Sequence, residues 1–192
     1  MIQAAFSFQG GGTMLGLLRW RGRATATVWK LPDRIVISRE ERTARGIALP
    51  VEPTLVVPRG APQERLGAAL RRALAGPERR QPEPRSWDRA HDRLVEAAGV
   101  SSHRWLLQSG LLVRVRREGR RVTLVPTVNL GPRGPERGFR SLPDNGIEVS
   151  VGLDDTALGA ALAETLGRAT RESGRTGRTG TGALAFDPDA QD

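Results

Sequence analysis

One run of five residues occurs twice in this chain. Leu66-Gly67-Ala68-Ala69-Leu70 returns as Leu158-Gly159-Ala160-Ala161-Leu162. Each copy lies on an apolar pattern of helical spacing: Leu66, Ala69, Leu70, Ala73, Leu74 in one, and Leu158, Ala161, Leu162, Thr165, Leu166 in the other. Each helix follows an extended run, Leu55–Pro58 or Ile147–Val151, and opens on helix-starting residues, Pro62-Gln63-Glu64 or Asp154-Asp155. Gly67 and Gly159 stand at matching helix positions, where each costs about 1 kcal/mol relative to Ala. Close approach of that turn to a sheet is the expected reason.

The surroundings extend the repeat. Thr25–Lys30 and Ile35–Ser38 flank the turn residues Leu31-Pro32-Asp33-Arg34, and Leu111–Arg116 and Arg120–Val125 flank Arg117-Glu118-Gly119. Each half, 19–75 and 111–167, therefore reads hairpin, variable loop, strand, helix. A linking helix over 86–98 is expected between them, capped by Ser86, stopped by Gly99, with Trp87, His91, Leu94, Val95 and Ala98 on its apolar stripe. Amphipathic helices need an apolar surface, and alternating strands supply one. The predicted fold is α+β: two related hairpin–strand–helix halves forming a mixed or antiparallel sheet with helices packed on it.

Residues 15–167 form the expected single domain. Residues 1–14 read as an N-terminal extension, with Met14 a second candidate start, and 168–192 as a small, polar, Gly-rich disordered tail in which Phe186 alone could dock. Pro77, Pro82 and Pro84 mark 76–85 as a linker without regular structure. No run of 18 apolar residues and no convincing export signal occurs, so a cytoplasmic protein without a membrane span is expected.

Composition narrows the chemistry. Among 192 residues there is no cysteine, which excludes disulfides, thiolate metal sites and cysteine nucleophiles. His91 and His103 are the only histidines. His91 reads as a hydrogen-bonded core residue one turn from Trp87, and His103 as a surface residue in the loop after Gly99. Asp154-Asp155 suits a helix N-terminus, and Glu40-Glu41, between Arg39 and Arg42, reads as solvated. No His-Glu-x-x-His or Gly-x-Ser-x-Gly run occurs, and Gly10-Gly11-Gly12-Thr13 lacks the lysine of a phosphate loop. No catalytic residue, cofactor or metal is therefore assigned.

The net charge of +9 invites a nucleic-acid reading, but Lys30 is the only lysine among the 30 basic residues, alongside abundant Ala, Gly and Pro. That composition points to codon bias for much of the arginine. Its placement is uneven. Segment 114–140 carries eight arginines against Glu118 and Glu136, while 141–167 carries five acids and no Lys or Arg. Arg114 and Arg116 alternate with Val113 and Val115, and Arg19, Arg21 and Arg23 share one face in the same way. Such a face binds an anionic partner or is simply a solvated sheet surface.

The segments Thr27–Lys30 and Val56–Leu70 resemble the first half of CdiI-type immunity proteins of contact-dependent growth inhibition systems. Leu112–Arg116, Val122–Thr127 and Val149–Leu162 are similar to their C-terminal half, and Ser86-Trp87-Asp88 to their middle helix start. The resemblance spans about 15–167 and implies a non-enzymatic cytoplasmic protein that binds and blocks the C-terminal toxin domain of a sister-cell effector. Its motifs are structural. Immunity proteins against nucleases are often acidic, whereas this chain is basic, so its partner would present an acidic surface or be held by shape. The expected partner face is the Arg-rich hairpin and following loop, Arg114, Arg116, Arg120, Arg133 and Arg137, with Trp29 and Phe139 as anchors. Trp29 also reads as a core residue facing the 64–75 helix. The alternatives are a basic nucleic-acid-binding module on the 114–140 segment, which has little aromatic interleaving, and a cryptic hydrolase using His91 or His103.

Overall fold

The computed structural model describes residues 22–172 apart from 88 and 134. The expectations for 1–14, Arg19, Arg21, the Gly10–Gly12 run and Phe186 lie outside the described residues.

The first hairpin is β1 (Arg23–Lys30) and β2 (Arg34–Thr43), closed by a bond from the Leu31 amide to the Arg34 carbonyl at 2.9 Å. The second is β5 (Leu111–Glu118) and β6 (Arg121–Gly131). Gly119, at φ 55°, supplies the positive φ at the first central position of its tight turn. β1 pairs antiparallel with β5, so the hairpins lie side by side at the centre of the sheet in the order β2-β1-β5-β6.

The third strand of each half lies outermost, but the halves differ. In the first it is β3 (Ala48–Pro58), far longer than the expected Leu55–Pro58. Pro50 and Pro53 are tolerated because β3 has a neighbour on one side only, and the register shifts opposite Ser38/Arg39. In the second half the same lane is split into β7 (Gly138–Ser141) and β8 (Ile147–Ser150), joined through a 3-10 turn at Pro143–Asn145. The Arg- and Gly-rich 129–142 segment, expected as a loop after the second hairpin, is therefore half strand, with its start ending β6 and 138–141 forming β7.

α1 (Gln63–Ala73) and α4 (Asp155–Arg168) lie together on one face of the sheet. Leu66, Leu70, Leu158 and Leu162 bury themselves over Ala26, Val28, Val113, Val115 and Leu124. Each fully buried leucine contributes roughly 1.5–3 kcal/mol relative to exposure. Asp154 caps α4, accepting from the Ala157 amide at 2.7 Å, and Arg71 of α1 donates to Asp155 at 2.5 Å. The repeat glycines meet each other, and not the sheet as the sequence suggested. A Cβ on Gly67 would lie 1.8 Å from the Asp155 carbonyl oxygen, and one on Gly159 would lie 1.8 Å from that of Gln63. These are one contact seen from each half, so the helices cross backbone against backbone on a pseudo-two-fold axis.

The linking helix is shorter than 86–98. α2 is Asp92–Ala98, preceded by His91 at its N-cap without a side-chain cap, and Trp87 is exposed. Gly99, at φ 65°, stops it as expected. A further helix, α3 (His103–Ser109), stands where a loop was expected, and Ser102 caps it through the Trp105 amide at 3.2 Å. α2 and α3 cover part of the opposite sheet face. Two short pairings complete the sheet. β4 (Arg80–Gln81) runs parallel to β2 inside the supposed irregular linker. β9 (Thr170–Arg171) runs parallel to β6, so the first residues of the expected 168–192 tail are ordered: Arg168 closes α4 and the chain then re-enters the sheet, and 173–192 lie outside the described residues.

Candidate functional site

Pairing register sorts the face opposite α1 and α4 into rows. One row holds Val36, Trp29 and Leu112 on adjacent strands, and α2 and α3 lie over it through Leu94, Ala98 and Leu106. The next row is Ser38, Thr27, Arg114 and Val125, and the one beyond is Glu40, Thr25, Arg116, Thr123 and Glu148. No helix covers these two rows. Ser38 and Thr27 are themselves buried, and Arg114, Val125, Glu40, Thr25, Arg116 and Thr123 floor a depression of about 340 Å³ whose rim includes Arg23, Arg42, Ser141 and Pro143.

The charges here are unequally satisfied. Arg116 pairs with Glu118. Arg23 and Arg42 share Glu78, at 3.4 and 3.8 Å. Among the described residues, Arg114 and Glu40 make no ion pair within 4 Å. Burial raises the Glu40 pKa above the ordinary carboxylate value, opposed by the charge of Arg114 and a hydrogen bond from Thr27. Thr25 donates to the Glu40 carbonyl at 3.0 Å. The site therefore holds a desolvated carboxyl beside a guanidinium with donors to spare, among strand hydroxyls.

The seven residues picked from sequence do not form one surface. Trp29 is 5 % exposed and packs edge-on against Phe139 at 5.2 Å. It is core, but beneath α2 and α3 and not facing α1. Phe139, half-buried, closes that cluster. Arg114 and Arg116 are exposed on the open rows. Arg120 sits in the β5–β6 turn, whereas Arg133 and Arg137 lie beyond the far end of β6. At about 3.3 Å per residue, the 11 residues of β6 put roughly 35 Å between those groups.

Two clusters were missed. Arg117 shares a face with Val113 and Val115 and is fully buried, donating to the Gly76 carbonyl at 2.8 Å. Burial, then the charge of Arg39, lowers its pKa. Arg39 bonds the carbonyls of Ala75 and Pro77 and pairs with Glu41 at 3.0 Å, and Gln81 donates to Glu41. Glu41 is thus buried and paired, against the solvated reading of Glu40-Glu41, and the cluster fixes the 75–81 segment to the sheet. The sequence signal was Arg117 itself, a charge in the apolar register of β5. The second cluster is His91 stacked on His103, centroids 4.0 Å apart. Burial, then the charge of His103, lowers the His91 pKa to about 4 while Asp92 opposes, and burial lowers that of His103. His91 is thus not on a helix stripe, and His103 is no free surface residue. Among the described residues no group of three or more His, Cys, Asp or Glu is placed to hold a metal ion, and no helix is long and apolar enough to cross a membrane.

No protein-family model matches the sequence, and no curated protein matches it significantly. Solved structures do match the fold. A chain of the CdiA-CT/CdiI toxin and immunity complex from Yersinia pseudotuberculosis aligns with a TM-score of 0.60 at 17% identity, covering 77% of this chain and 97% of that one. A protein of unknown function from Neisseria meningitidis aligns with a TM-score of 0.61 at 17% identity, covering 77% and 95%. At such identity the likeness is one of fold.

Proposed function

We propose that this chain is an immunity protein that binds and neutralises the toxin domain of a contact-dependent growth inhibition effector, with no catalytic step of its own. The observation that carries this reading is the fold shared with a chain of a CdiA-CT/CdiI complex over nearly that chain's whole length. The resemblance of both sequence halves to CdiI-type proteins supports the immunity role over the toxin role. The site's chemistry agrees with binding: strand-borne charges and hydroxyls on a rigid sheet present a preformed surface, which keeps the ordering cost of association low. Neutralisation follows physically if the captured toxin domain is held with its own working surface occluded.

Co-expression with the C-terminal toxin domain of the effector encoded beside this chain tests the proposal. Growth is restored, and the two chains elute together as a stable complex. Continued toxicity with no complex refutes it.

A further inference from the structure

We propose that the uncovered rows beside α2 and α3 are the partner-docking face, and that they take an acidic protein segment whose Asp or Glu carboxylate seats on Arg114. This rests on the immunity reading and adds the place and the chemistry of contact.

Three observations converge. First, the face is half covered. α2 and α3 close over the Trp29 row and Ser38 and Thr27 of the next row are buried, whereas Arg114, Val125 and the Thr25 row open onto the 340 Å³ depression. Second, the other arginines of the depression are occupied: Arg116 by Glu118, and Arg23 and Arg42 by Glu78. Arg114 is the cation with its fork open, and a guanidinium fork matches a carboxylate in bidentate geometry. Third, the lining mixes these charges with the apolar side chains of Val125 and Pro143. An apolar neighbour of the incoming carboxylate would have a dry wall to pack on, and a central anchor of that kind carries most of an interface's affinity.

The same pattern disfavours a nucleic-acid backbone. Glu40, Glu118 and Glu148 interleave with Arg114 and Arg116 across adjacent strands. A run of phosphates would meet repulsion at each acid, whereas one carboxylate on a protein loop meets Arg114 with Glu40 as the one acid beside it. Arg133 and Arg137, beyond the far end of β6, are outside this face.

The test measures affinity of full-length variants for the toxin domain encoded beside this chain, by titration calorimetry at physiological salt, with thermal melts as a folding control. R114E weakens binding at least tenfold, the size expected when one close charge pair is reversed. R133E/R137E changes it less than threefold. E40Q, which removes the one repulsive carboxyl beside the anchor, binds as tightly as wild type or tighter. Wild-type binding that R114E leaves intact overturns the docking assignment and leaves the immunity reading standing, whereas absence of wild-type binding removes both. Loss on E40Q without loss on R114E overturns the acidic occupant in favour of a cation. A change in oligomeric state with R114E gives the face to a second copy of the chain and equally overturns it.

Discussion

Replacing either repeat glycine by alanine tests the helix crossing directly. An ideal Cβ on Gly67 would lie 1.8 Å from the Asp155 carbonyl oxygen, where real Cβ contacts do not fall below 3.0 Å. The obstacle is backbone, so no side chain can swing aside, and α1 and α4 must part by about 1.2 Å at their closest point. A radial gap of 0.5–1 Å already forfeits a quarter to a half of a dispersion contact, and overpacking costs roughly 1–3 kcal/mol, occasionally more. Alanine returns about 1 kcal/mol of helix propensity. With a backbone clash the upper end applies, so G67A and G159A each lose about 2–3 kcal/mol net. At about 2–4 °C per kcal/mol for a chain of this size, the melting temperature drops by roughly 5–10 °C. Urea titration gives the free energy, with the slope unchanged. The double variant loses clearly less than the sum, because one separation relieves both clashes. G167A, on the same α4 with nothing within 4 Å of its Cβ, is the control and gains up to about 1 kcal/mol. A G67A protein as stable as wild type, or strictly additive losses, refutes the crossing.

Other outcomes follow from buried groups. E41Q strands the buried Arg39 beside the charge of Arg117 without its own counter-charge, and breaking such a buried pair costs on the order of 3–5 kcal/mol by denaturant titration. G110A drives a Cβ to 2.9 Å from the Trp29 ring and from the Leu106 carbonyl. It loosens α3 from the sheet, seen as increased hydrogen exchange in 103–109. The lowered pKa values of His91 and His103 mean that the unfolded chain binds more protons as pH falls from about 6.5 toward 4. Stability is therefore lost over that window. H91Q flattens the dependence, measured as urea midpoints from pH 7 to 4.5.

Much of the fold was legible because it rests on local patterns. The duplicated helices, both hairpins, the Asp154 cap and the Gly99 stop each follow from side-chain spacing or a backbone requirement within a few residues. What escaped depends on tertiary context. Pro50 and Pro53 argue against a strand until β3 is known to lie at an edge. Ser86 offered a cap as good as any, but the helix begins at Asp92, and the Ser102 signal belonged to a helix of only seven residues. Arg39, Glu41 and Arg117 look like surface residues, because their partners are carbonyls and side chains of a linker that sequence cannot place. At the candidate site, Arg114 and Arg116 were found from alternation alone. Their neighbours Thr25, Thr27 and Glu40 come from the other half of the chain, through a β1–β5 pairing that no local pattern records.

The glycine crossing and the antiparallel β1–β5 seam together have the geometry of an isologous interface. Each half completes the other's sheet and covers the other's helix with the same residues. The chain is thus built as a dimer whose two subunits are joined covalently, with the 75–81 linker pinned at the seam. Freed of symmetry, the second copy could split its outer strand and the first could keep one unbroken. A single half expressed alone would find its missing surface only in another copy of itself.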